Sequence, residues 1–126
     1  MAKPHDIRQT IAAYAETTTA GDKARWQTLF AANATIEDPV GSDLHVGPAG
    51  VSDFWDFTRS LSSSIEITIA GPVCVAGAEA AFPIRIVSLV GDDRFVLDAI
   101  DTMAFDDDAK IVTMRAYWDM ADMRPA

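Results

Sequence analysis

Residues 95–105 read FVLDAIDTMAF, with Phe95, Leu97, Ala99, Asp101, Met103 and Phe105 at every second position. Side chains alternate across a β-strand, so these six share one face of a sheet. Five are apolar and one is a carboxylate. A long strand with one apolar face needs a cover, which confines the chain to a layered fold. The aspartate constrains it further, because an ionised carboxylate on an apolar face is costly. Two escapes are open. Arg115, on the neighbouring predicted strand, is a possible counter-charge, with the parity of pairing undetermined. Alternatively the acid keeps its proton, since desolvation raises a carboxyl pKa and a neutral acid can donate a hydrogen bond. Acids perturbed in this way concentrate at functional sites.

The cover is written in the first half. Ile7, Ile11, Tyr14 and Thr18 recur at helical spacing over residues 6–19, and Ala20-Gly21-Asp22 ends that helix with Gly21 at C′. Asp22 caps a second helix whose stripe is Trp26, Leu29 and Phe30. Residues 34–38 alternate as a short strand with Ile36 and Asp38 on one face, stopped by Pro39. Pro48 opens a third helix to about Leu61, with Val51, Phe54, Trp55 and Thr58 on its stripe. From Ile65 the period changes to two. Ile65, Ile67 and Ile69, then Phe82, Ile84, Ile86, Ser88 and Val90, then residues 95–105, then residues 111–118 with Met114, Ala116 and Trp118 on one face, read as strands. Helices followed by an antiparallel meander are an α+β pattern, expected as one domain over residues 1–126. Three helices over one face of a curved antiparallel sheet form a half-cone whose interior suits a small apolar ligand.

The net charge of -9 repels nucleic acid and anionic lipid, so neither is an expected partner. No apolar run approaches the roughly 20 residues of a membrane span, and no signal-peptide core is visible. With Cys74 as the one cysteine, a cytoplasmic protein is the expectation. His5 and His45 lack partners at metal-ligand spacing, so no metal site is expected. Cys74 lacks an activating neighbour, and Ser62-Ser63-Ser64 lacks the glycines of a nucleophile elbow.

Taken singly, Tyr14 reads as a core tyrosine and Asp38 as a turn-starting aspartate. Together with Asp101 they compose a chemistry. A base beside two neutral hydrogen-bond donors is what enolisation of a ketone requires.

Ala20-Gly21-Asp22, Leu29-Phe30, residues 34–42 (ATIEDPVGS), Ile100-Asp101 and Met114-Arg115-Ala116 resemble bacterial ketosteroid isomerases, within the nuclear transport factor 2-like superfamily. The likeness runs over nearly the whole chain. The AGD and ATIEDP patterns argue mainly for the fold, whereas Tyr14, Asp38 and Asp101 as a set are more specific. The resemblance implies an isomerase that moves the double bond of a 3-oxo-Δ5-steroid into conjugation. Asp38 would be the base, and Tyr14 with protonated Asp101 the oxyanion hole. A carboxylic acid kept neutral as a donor is established chemistry for that family and is not deduced from this chain. The resemblance also implies a homodimer and no cofactor. Phe54, Trp55, Met114 and Trp118 are the expected substrate contacts, on a wall shared with Phe82, Ile84, Val96, Met103 and Ala116. Some family members support the catalytic tyrosine with two further tyrosines; Phe30 and Trp55 stand at those positions, which shortens the hydroxyl network expected around Tyr14. Asp98, on the opposite strand face, is expected to pair with a neighbouring strand or to meet solvent.

Two other functions share the shape. A steroid- or lipid-binding module would use Asp101 as a salt bridge to Arg115. An epoxide hydrolase or polyketide cyclase would set Asp38, Arg115 and Asp101 around a water, with Arg115 pointing inward.

Overall fold

Gly21 takes the left-handed conformation, φ 71°, and its N–H reaches the Thr17 and Thr18 carbonyls, so the first helix ends where the sequence places the break. The computed structural model describes residues 1–126 and begins with this helix, α1 (Pro4–Ala20). Its stripe of Ile7, Ile11, Tyr14 and Thr18 is buried. Asp22 accepts a hydrogen bond from the Arg25 N–H and starts α2 (Lys23–Gln27). The second helix stops earlier than its apolar stripe suggests. Phe30 already belongs to β1 (Phe30–Glu37), and the stripe residues Trp26 and Phe30 meet across the helix–strand junction with their rings tilted by 55° and centroids 4.6 Å apart.

A two-residue strand, β2 (His45–Val46), leads into α3 (Gly47–Leu61). A Cβ on Gly50 would stand 2.8 Å from the His45 backbone carbon, so only glycine lets α3 pack this closely on β2. The strands β3 (Ser64–Ile69), β4 (Cys74–Ala76), β5 (Glu79–Val90), β6 (Asp93–Phe105), β7 (Ile111–Tyr117) and β8 (Arg124–Pro125) follow.

The sheet order is β2-β1-β7-β6-β5-β3, with β4 on β5 and β8 on β6. From β3 to β7 it is the expected antiparallel meander. The expectation of an all-antiparallel sheet needs one correction: β1 lies parallel to β7, so the sheet is mixed. Helix α3 sits between β1 and the meander in sequence, which lets the chain return on the same side of the sheet. Register shifts in β1 and at Ala104/Phe105 bend it. The three helices cover the concave face, and the core cluster joins α1, α2, α3 and the inner faces of β1, β5, β6 and β7. No helix is long and apolar enough to cross a membrane.

Candidate active site

Between helices and sheet lies a cavity of about 240 Å³ lined mainly by apolar side chains. Tyr14 enters it from α1, Phe54 and Trp55 from α3, Ile84 and Ile86 from β5. Asp38 and Trp118 enter from the residues that follow β1 and β7. The parallel pairing of those two strands sets Glu37 beside Arg115, and the Val40 N–H then donates to the Ala116 carbonyl at 2.8 Å. Asp38 and Trp118 are thereby carried to the same end of the sheet. The Trp118 indole N–H donates to the Asp38 carboxylate at 2.6 Å. The Asp38–Pro39 peptide is cis.

Asp38 is half-buried, and desolvation raises its pKa above the ordinary carboxylate value. The Trp118 hydrogen bond and the nearby His45 act in the opposite direction. A carboxylate held by one indole and otherwise facing an apolar cavity is oriented and more basic than one in water.

Asp101 is 1% exposed, and its Oδ2 has no hydrogen-bond partner. It stands in β6 opposite Phe82 on one side and Ala116 on the other, so nothing in the sheet supplies a counter-charge. Burial, and then the charge of Asp38, raise its pKa well above the usual range. Tyr14 is buried too, and its phenol is pushed upward by burial, by Asp101 and by Asp38. Two groups whose neutral, donor-capable forms are favoured by burial therefore lie within electrostatic reach of one oriented carboxylate. That arrangement can transfer a proton at carbon and stabilise the oxyanion that results.

Arg115 does not take part. It lies outside, donating to Glu37 at 3.0 Å and to the Tyr117 hydroxyl. The Asp101–Arg115 salt bridge expected of a binding module is absent, and so is the inward arginine of an Asp–Arg–Asp water site. Asp98 pairs with Arg85 and Arg124 at the surface, as its strand face predicts.

The expected substrate contacts divide. Phe54, Trp55 and Trp118 line the cavity. Met114 does not reach it: at 0% exposure it is packed in the core behind the lining, because the inner face of β7 is covered at that level. The same holds for Phe82, Met103 and Ala116, which are buried beneath the lining surface. Asp101 likewise lies behind that surface, adjacent to Tyr14 and Asp38, which form part of it. Phe30 and Trp55 both pack on Trp26, and no protein hydrogen bond acts on the Tyr14 hydroxyl.

Two contributions escaped the sequence reading. Trp118 reads there only as a substrate contact, yet it holds Asp38. Its signal, an inward aromatic just past a strand end, needs the β1–β7 pairing to be interpretable. Arg59, in the last turn of α3, lines the cavity and lies over the Trp55 ring at 4.4 Å.

Comparisons with known proteins agree with this geometry. A steroid Delta-isomerase of Nocardioides simplex is 36% identical over 118 residues, spanning 94% of each chain. Among solved structures, the epoxide hydrolase/cyclase-like enzyme SalBIII of salinomycin pyran ring formation superposes with a TM-score of 0.90 at 25% identity over the whole of both chains. RV0760c of Mycobacterium tuberculosis, with a TM-score of 0.87 at 19% identity over both whole chains, shares the fold. So does a computationally designed 17-OHP binder, TM-score 0.83 at 18% identity over 96% of each chain. The SnoaL-like domain model matches residues 11–114, and the chain therefore belongs to the SnoaL-like family, of the nuclear transport factor 2-like fold, as a homologue of steroid Delta-isomerase.

Proposed function

We propose that this protein is a steroid Δ-isomerase, converting a 3-oxo-Δ5-steroid to the conjugated Δ4-3-ketone without a cofactor. One observation carries the reading: Asp38, oriented by Trp118, adjoins two buried acids, Tyr14 and Asp101, that favour their neutral forms. Asp38 removes the proton on the carbon between ketone and alkene. The electron pair moves onto the carbonyl oxygen, giving a dienolate. Tyr14 donates to that oxyanion from the cavity lining, and neutral Asp101, just behind the lining beside Tyr14, supplies the second hydrogen bond once the ketone is seated against it. Protonated Asp38 then returns its proton at the far end of the former alkene, which restores the base.

The apolar lining supports a flat hydrocarbon substrate, with Phe54, Trp55 and Trp118 as its contacts. The whole chain acts as one domain, in the cytoplasm. The homodimer implied by the resemblance would use the outer sheet face, where Ile100 and Tyr117 are 44% and 43% exposed.

The test is ultraviolet absorbance over time with 5-androstene-3,17-dione, whose product enone absorbs where the substrate does not. Growth of that band is expected, with Asp38→Asn losing about 10²- to 10⁴-fold in rate while folding normally. Undiminished turnover in Asp38→Asn would refute the assignment. The likeness to SalBIII favours epoxide opening or ring closure as a second reading. Asp38-dependent opening of an epoxide, with no enone formed from the ketosteroid, would select it.

A further inference from the structure

The cavity lining carries a cation that the isomerisation does not use. Asp38 and Arg59 are the charged residues of its lining. Arg59 takes part in none of the chain's seven ion pairs. Its Nη2 donates to the Thr18 carbonyl of α1, its guanidinium plane lies over Trp55, and its Nε is buried with no hydrogen-bond partner. A partly desolvated cation with an unfilled donor is costly, and a protein carboxylate is the ordinary remedy. None is supplied here, in a chain with nineteen acidic residues.

The strand register shows how far the cavity wall runs beyond the reacting end. Phe82 of β5 pairs with Asp101. Ser88 lies six residues further along β5, about 20 Å away at ~3.3 Å per residue. The end of α3 meets this second region: the Ser63 N–H donates to the Leu89 carbonyl, and Ser62 and Ser88 both line the cavity. On α1, the Thr18 contact is one turn beyond Tyr14, about 6 Å along the axis. Arg59 thus stands apart from Asp101, towards the end where Thr58, Ser62 and Ser88 join Phe57, Leu61 and Ile65 in the lining.

We infer that Arg59 determines substrate specificity by receiving a carboxylate at the end of the substrate remote from the reacting ketone, assisted by the Ser62 and Ser88 hydroxyls. The Nε is closed off, and Nη1, which has no hydrogen-bond partner in the protein, is the donor whose charge-assisted hydrogen bond a carboxylate would accept. The carboxylate also supplies the counter-charge Arg59 lacks, in a cavity where the apolar walls strengthen the attraction. The inference rests on the reading of Asp38, Tyr14 and Asp101 as the reacting end. It adds that the preferred ketosteroid is an acid.

The experiment measures binding, so it is read whether or not turnover occurs. Quenching of tryptophan fluorescence gives the affinity for 3-oxoandrost-4-ene-17β-carboxylate and for androst-4-en-3-one, which lacks the acid. The wild-type chain is expected to prefer the carboxylate by about tenfold, Arg59→Gln to lose the preference, and both to bind the uncharged steroid within about twofold. Arg59→Lys, which keeps the charge without the planar fork, is expected to retain part of the preference and carries the test if Arg59→Gln does not fold. Equal wild-type affinity for the two steroids would overturn the inference. So would an equal loss for both steroids in Arg59→Gln, which would make Arg59 only a clamp between α3 and α1. Turnover of the neutral ketosteroid without a carboxylate preference would remove this inference and leave the isomerase. A carboxylate preference without turnover would do the reverse.

Discussion

Asp98 and Asp101 lie three residues apart on β6 and meet opposite fates. Asp98 points to the outer face, accepts hydrogen bonds from Arg85 at 2.8 Å and Arg124 at 3.0 Å, and has its pKa lowered to about 2 by those bonds. Asp101 points inward, has no cationic partner, and is raised in pKa by burial. The backbone around both is the same extended strand. The difference shows that a carboxylate's chemistry is decided by which face of the pleat it occupies and by what the fold lays over that face. The outer acid is a permanent charge. The inner one favours its neutral form beside Tyr14 and Asp38.

The largest break in this comparison is catalytic. Asp101→Leu removes the oxyanion donor that the proposed mechanism assigns to this position, and steady-state turnover of 5-androstene-3,17-dione is expected to fall by about 10²- to 10³-fold. Asp98→Leu, a deletion of the same size three residues away, is expected to leave turnover nearly unchanged. Comparable losses in the two variants would mean that the inner acid has no special role.

The next effect is on base strength. Trp118→Phe removes the hydrogen bond that lowers the Asp38 pKa. The proposed mechanism needs Asp38 ionised, so the acid limb of the pH–rate profile is expected to move upward by about one pH unit. An unmoved limb would show that the indole contributes packing only.

Stability sharpens the contrast further. The raised pKa of Asp101 means that the folded state keeps a proton the unfolded state releases above about 4. Its contribution is therefore fully present below the unfolded pKa and is lost as pH rises through the folded one. Asp101→Asn, neutral at every pH, is expected to gain stability relative to wild type as pH rises from 4 to 8, by about 1.4 kcal/mol for each unit of pKa difference the rise traverses. Urea unfolding at several pH values measures it, and a constant difference would show that Asp101 is not held protonated. Asp98 has the opposite sign. Its lowered pKa contributes stability above the unfolded value that is lost as pH falls towards about 2. Asp98→Asn is expected to show a small loss near neutrality, smallest in effect of these variants because the pair is solvent-screened, and the loss should vanish in acid.

Legibility followed the range of the interactions involved. The α1 stripe, the Gly21 stop and the long strands β5 and β6 were readable because period and turn chemistry are local. The early end of α2 was misread because Phe30 continues a helical spacing while its ring is claimed by Trp26 from the strand side. Met114, expected at the cavity, stands behind its lining for a related reason. Alternation tells which face a residue occupies but not how deep the overlying layer is, and at Met114 that layer is closed. Arg115 was left open because cross-strand pairing decides its partner, and Glu37 turned out to be that partner.

By itself the sequence determined that Asp101 would share an apolar strand face, that helices would cover that face, and that Tyr14 would point into the cover, since each follows from spacing along a single element. Only the tertiary structure decided that β1 returns parallel to β7, bringing Asp38 onto Trp118, and that Arg59 enters the cavity without a counter-charge. Those arrangements join residues tens of positions apart, and no local periodicity encodes the distance between two elements once the chain has folded them together.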